Sequence, residues 1–161
     1  MNFQYQIVER ENITDQLNGV FSKMLKAQNK VRGNLKEKAY RCKLICFVYS
    51  NSEPVAIGAI KQKTKSDFSV SKADLMSREA EFDWELGYIY TAPLFARKGI
   101  AGEIINKLLN LYGDGNLMAT TEVSKNPAMV HLLERNGFTL SGKKWKSTIH
   151  DNYLGLYLRN K

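Results

Sequence analysis

The chain has little of what would make it a disulfide-stapled, metal-bound or membrane-spanning protein. Its 161 residues include only two cysteines and two histidines. Cys42 and Cys46 lie in one alternating segment, "RCKLICFVY". Strand geometry puts both on the same face, too far apart for an easy bridge. A zinc site needs more ligands than these, and His131 and His150 are distant in sequence, so no metal is expected. No apolar run is long enough to span a membrane. The segment Met1-Asn2-Phe3-Gln4-Tyr5 lacks the basic start and apolar core of a secretion signal. With two lone thiols, that absence leads to the expectation of a reducing, cytoplasmic setting. Repeats and low-complexity segments are missing, as are Gly-Lys-Ser/Thr and a three-glycine dinucleotide fingerprint.

What is present fits one soluble globular domain, expected over residues 1–161. The net charge of +8 attracts anions without saying which. Along the chain, Phe3 to Glu9 reads as a strand. Ile13, Leu17, Val20, Phe21, Met24 and Leu25 then mark an amphipathic helix running to about Lys30. The helix and the segment after it are rich in lysine: Lys23, Lys26, Lys30, Arg32, Lys36 and Lys38. Such a run serves either as a solvated face or as the entrance to a site for an anionic substrate.

Lys43–Tyr49 and Val55–Lys61 read as a hairpin around Asn51-Ser52-Glu53-Pro54. Residues 64–82 are polar and irregular, with one helical turn expected near Lys72 to Arg78; loops of that length are often functional or mobile. A strand at 83–90, a helix from Gly99 to about Tyr112 and a strand at 117–123 form a β-α-β crossover. Asn126-Pro127 opens a helix that Asn136-Gly137 closes. Two strands follow, "FTLSG" and "YLGLYLR", joined by a loop over 143–152.

The turn Ala96-Arg97-Lys98-Gly99-Ile100-Ala101 stands where the second long helix begins. A helix N-terminus exposes unpaired N–H groups and partial positive charge. Gly99 lets phosphate oxygens approach the backbone, Ala101 keeps the first turn narrow, and Arg97 and Lys98 add full charges. The segment suits a pyrophosphate and equally suits plain helix initiation.

"YIYTAPLFARKGIAGEIINKLL" together with "NPAMVHLLERNGF" resembles the GNAT superfamily of N-acetyltransferases, and the element order matches over nearly the whole chain. The resemblance implies an α/β (α+β) fold: a mixed, mostly antiparallel sheet of six to seven strands. Helices would cover both faces around a central β-α-β coenzyme A-binding unit. It implies acetyl-CoA as cosubstrate, an amine of a small molecule or protein as acceptor, and direct transfer. The family turn reads Gln/Arg-x-x-Gly-x-Gly/Ala; here Ala96 replaces the first position. By resemblance, Arg97, Lys98, Gly99, Ile100 and Ala101 hold the pyrophosphate. Ile89, Tyr90 and Thr91 offer backbone to the pantetheine arm, and Asn126 contacts its end while capping a helix.

Acetyl transfer needs a neutral amine, and a lysine-like amine with pKa about 10.4 is mostly protonated at neutral pH. A base must take that proton. The resemblance places it at Glu85, on the face that alternation gives to Glu85, Gly87, Ile89 and Thr91; Glu81, Asp83 and Glu122 are weaker rivals. The family's usual proton-donating tyrosine falls at Leu133, which cannot donate. Departing thiols of pKa about 8.5 can dispense with a donor. His131, Tyr90 and Tyr153 are further candidates without stronger support. The alternative to an enzyme is a coenzyme A-binding module that senses or binds without turnover. Membrane and nucleic-acid partners are not expected, and a homodimer is left open.

Overall fold

A computed structural model describes residues 2–161. Seven strands form one sheet in the order β1-β2-β3-β4-β5-β7-β6, with β4 and β5 paired in parallel and β1–β2, β2–β3, β5–β7 and β6–β7 antiparallel. The strands are β1 (Gln4–Glu9), β2 (Cys42–Ser50), β3 (Glu53–Gln62), β4 (Trp84–Thr91), β5 (Leu117–Glu122), β6 (Thr139–Lys146) and β7 (Tyr153–Arg159). The helices are α1 (Asp15–Gln28), α2 (Leu35–Tyr40), α3 (Ile100–Tyr112) and α4 (Pro127–Arg135). This is the expected mixed, mostly antiparallel arrangement. The chain divides into two compact units. One runs to Gln62 and resumes over Leu86–Gly113; the other holds Lys63–Glu85 and Asp114–Lys161.

In the first unit, β1, β2 and β3 form an antiparallel meander. The β2–β3 turn is tighter than expected. Asn51 (φ 50°) and Ser52 (φ 68°) take up the reversal, and Glu53 and Pro54 already belong to β3. Two successive left-handed residues match the twist of a two-residue hairpin. Thr14 caps α1 by accepting from the Leu17 N–H at 3.2 Å, and left-handed Asn29 ends the helix just after Gln28. Phe21 and Leu25 from α1 are buried against Ile45, Phe47, Ile57 and Ala59. Each such side chain contributes about 1.5–3 kcal/mol on burial. The opposite sheet face takes α3, which comes so close that a Cβ on Gly58 would stand 2.4 Å from Ile104 Cγ2.

The reading of both cysteines on one face is not kept. A register shift between Cys42 and Leu44 reverses the alternation, and Cys42 joins the α1-side core with Ile45 and Phe47. Cys46 instead feels Lys107 of α3. Burial pushes both thiols up to about 12.

In the second unit, residues 63–83 are not a loose loop. They make two 3-10 turns, Lys65–Phe68 and Met76–Glu81. Phe68 and Phe82 are fully buried with Ala73, Met118, Trp145, Leu156 and Leu158. Lys63 Nζ ties the segment together by donating to Glu79 Oε2 at 2.6 Å and to the Glu79 carbonyl at 3.0 Å. Strand β6 runs to Lys146, past the expected end, because a bulge between Ser141 and Trp145 restores its pairing with β7.

Candidate active site

In the first unit, the turn before α3 departs from extended and helical backbone at two positions. Arg97 (φ 62°) and Gly99 (φ 77°) are both left-handed, and α3 starts at Ile100. A non-glycine residue in that region costs about 1–2 kcal/mol, so Arg97 holds local strain. No side chain caps the helix, and the first acidic residue is Glu103. Arg97, Lys98 and Gly99 are exposed, Ala101 is half-buried, and Ile100 is anchored in the core. A Cβ on Gly99 would meet nothing within 4 Å, so space adjoins the backbone there. Open N–H groups, two cations and free space fit an anion such as a pyrophosphate. The approach to the turn is pinned: Ala92 N–H donates to the Val55 carbonyl at 2.8 Å, and Phe95 stacks edge-on to Phe3.

Strand β4 leads into that turn. Tyr88 sits within it at φ 55°, a left-handed residue that interrupts strict alternation. Glu85, Gly87, Ile89 and Thr91 therefore do not form one uninterrupted face. The Tyr88 ring meets Phe21 edge-on at 5.6 Å, with Lys61 Nζ 5.1 Å from its centroid. Tyr90 packs on the α1-side core, whereas Ile89 Cγ1 lies 3.4 Å from the position of a Gly58 Cβ, on the α3 side. The Ile89 carbonyl accepts from Gln28 Nε2 at 3.0 Å, and Thr91 is half-buried.

In the second unit, Glu85 pairs in register with Met118 of β5 and is 7% exposed. Its Oε1 accepts from both the Thr64 backbone N–H and the Thr64 hydroxyl, each at 2.8 Å. Asp67, 6% exposed, takes the Thr120 hydroxyl on Oδ2 at 2.8 Å and Lys72 Nζ near Oδ1 at 3.4 Å. Burial, and then the Glu85 charge, raises the Asp67 carboxyl above its ordinary value. Glu85 is thus an enclosed, oriented carboxylate with a second carboxyl close enough to feel it. Sequence reasoning missed Thr64, Asp67 and Thr120. The only available signal was the Thr-x-x-Asp spacing, which is too common to single out.

The other candidates are committed elsewhere. Glu122 accepts from His150 Nε2 and Asn152 Nδ2, each at 3.2 Å, while His150 Nδ1 accepts the Asn152 N–H at 3.1 Å. This arrangement folds the β6–β7 loop onto the end of β5. Glu81 pairs with Arg78, Asp83 is exposed, and His131 and Tyr153 face solvent. Asn126 Oδ1 caps α4 through the Met129 N–H at 3.3 Å, and Leu133 is buried. Among the described residues, no group of three or more His, Cys, Asp or Glu could hold a metal ion. No helix among them is long and apolar enough to cross a membrane.

A model of the Acetyltransferase (GNAT) family matches residues 12–138. No curated protein matches the chain in sequence. Among solved structures, Escherichia coli ElaA superposes with TM-score 0.73 at 10% identity, covering 99% of this chain and 100% of that one. The ribosomal-protein-S18-alanine N-acetyltransferase from Escherichia coli gives TM-score 0.65 at 13% identity, over 97% and 93%. The NatC complex bound to Gag peptide and CoA gives 0.69 at 14% identity, over 100% and 99%. At these identities the likeness concerns the fold.

Proposed function

We propose, given that the chain belongs to the GNAT acetyltransferase family, that it is an acetyl-CoA-dependent N-acetyltransferase acting directly on an amine of a small molecule or protein. The observation that carries this reading is the buried carboxylate of Glu85, on β4, held by two donors from Thr64. Residues 1–161 are taken as a single N-acetyltransferase domain. Two buried thiols suit a reducing, cytoplasmic location.

Bound acetyl-CoA supplies an activated thioester. Arg97, Lys98 and the N–H groups at Gly99, Ile100 and Ala101 would hold its pyrophosphate. Backbone groups of Ile89, Tyr90 and Thr91 would hold the pantetheine arm, and Asn126 its far end. Glu85 takes the proton from the acceptor amine, directly or through water, leaving a neutral nitrogen able to attack. The Thr64 donors hold the carboxylate in one orientation, so that no reorientation precedes proton transfer. With Leu133 at the expected tyrosine position, the departing thiolate takes its proton from solvent.

That same leucine favours a second reading, a coenzyme A-binding module without turnover. Thermal unfolding with acetyl-CoA, followed by thiol release across an amine panel, separates the two. Ligand at about a hundred times its Kd adds about 2.7 kcal/mol, a shift of about 5–11 °C. Stabilisation with thiol release supports the transferase. Stabilisation with no amine turned over supports the module, and no stabilisation at millimolar ligand overturns both.

A further inference from the structure

We infer that the outer surface of α1 and α2 docks an acidic stretch of polypeptide, and that this polypeptide carries the acceptor amine. The inference rests on the transferase reading and narrows its substrate class. Its ground is the distribution of charge. From the start of α1 at Asp15 to Ser52 stand eight lysines and arginines and two acids, Asp15 and Glu37. The rest of the chain holds 16 basic and 14 acidic residues, so six of the eight net positive charges belong to this one segment.

The fold gathers these cations rather than dispersing them. The α1 face opposite Phe21 and Leu25 presents Lys23 and Lys26, and Lys30 follows the helix end; all three are exposed. Buried Asn18 of α1 donates to the Lys36 carbonyl at 3.1 Å, fixing the start of α2 against α1 and adding Lys36 to the same helical pair. Of the two acids, Glu37 pairs with Arg41 at 3.5 Å, and Asp15 stands in the first turn of α1. Among the described residues, Lys23, Lys26 and Lys36 have no side-chain hydrogen bond or ion pair. Burial, and then the Arg41 and Lys61 charges, lower the proton affinity of half-buried Lys38.

Helix α1 packs on β4 through its inner face: Gln28, at its C-terminal end, donates to the Ile89 carbonyl, and Phe21, midway along it, meets the Tyr88 ring. A chain seated on α1 thus lies on a helix braced against β4. Polypeptide is favoured over nucleic acid on two grounds. The surface offers mainly point-charge lysines, with Tyr40 the one large exposed aromatic on the segment, whereas single-strand binders stack bases on several. A polypeptide also brings its own α- or ε-amine.

Fluorescence anisotropy on the full chain tests this with three dye-labelled probes: a ten-glutamate peptide, a ten-glutamine peptide and a ten-thymidine oligonucleotide. One variant combines Lys23→Glu, Lys26→Glu and Lys36→Glu. A control with the same change in charge combines the exposed Lys125→Glu, Lys144→Glu and Lys161→Glu. The expected result is glutamate-peptide binding that weakens about tenfold in the first variant and little in the control. Equal losses in the two variants, no glutamate-peptide binding, or tighter oligonucleotide binding lost in the first variant would each overturn the inference. Acetyl-CoA stabilisation is measured on the same proteins. If it is present while the peptide result fails, only the docking surface is lost; if it is absent from the wild type, the transferase reading fails first.

Discussion

Gly58→Ala tests how tightly α3, and with it the candidate pyrophosphate turn, is seated on the sheet. The new Cβ would stand 2.4 Å from Ile104 Cγ2, and 3.4 and 3.6 Å from Ile89 Cγ1 and Leu108 Cδ1. The last two are ordinary contacts, but the first is about 1 Å too close. Ile104 and Leu108 are fully buried, so neither has an empty direction to turn into. Overpacking of this kind costs about 1–3 kcal/mol. Loss of backbone freedom in the unfolded chain returns about 0.4–1 kcal/mol. The net expectation is a loss of about 1–2 kcal/mol, or about 2–8 °C in Tm for a chain of this size. The offending atom is the branch methyl of Ile104, which Ile104→Leu removes at nearly constant volume for less than about 1.5 kcal/mol. The double variant should therefore be more stable than the sum of the single effects, with a coupling of about 0.5–3 kcal/mol. Urea unfolding of the four proteins measures it. Strict additivity, or a Gly58→Ala protein as stable as the wild type, would refute the close approach of α3 to β3.

Glu85→Gln keeps an oxygen for Thr64 but removes the base, so thiol release with an accepted amine should fall about 10²–10⁴-fold while acetyl-CoA stabilisation persists; unchanged turnover would move the base elsewhere. Gly99→Val places a branched side chain at φ 77° beside the open N–H groups, and calorimetry should find acetyl-CoA affinity reduced at least tenfold, a result that equal affinity would contradict. The raised Asp67 carboxyl predicts a pH slope. Its stabilising contribution is complete below the unfolded pKa and is lost as pH rises through the higher folded value. Asp67→Asn, which does not ionise, should thus gain stability relative to wild type from about pH 4 upward, and the slope should shrink when Glu85→Gln is added; a flat or falling difference in Tm across pH would count against the carboxyl pair.

Much of the fold is legible from periodicity. The amphipathic helix carrying Phe21 and Leu25, the Asn126-Pro127 start of α4 and the β-α-β order each follow from local rules that hold before any tertiary contact forms. The α3 turn is legible for the same reason, because Gly99 and the cations beside it are local chemistry. Residues 64–82 are not. Their polar composition hides Phe68 and Phe82, whose burial depends on Met118, Trp145 and Leu156 far along the chain. Helix α2 is short and lysine-rich, with Ala39 its one buried residue, so its pattern is too brief to read. Parity along a strand fails where one residue departs from extended geometry, as at Tyr88, or where register shifts, as between Cys42 and Leu44.

The sequence by itself determined the order of elements, the glycine at the helix start and the carboxylate at position 85. Only the tertiary structure decided what surrounds that carboxylate. Thr64 donates to Glu85 from a stretch 21 residues earlier, Asp67 feels its charge, and Thr120 of β5 in turn holds Asp67. Hydrogen bonds and charge act through distance in space, which spacing along the chain does not encode.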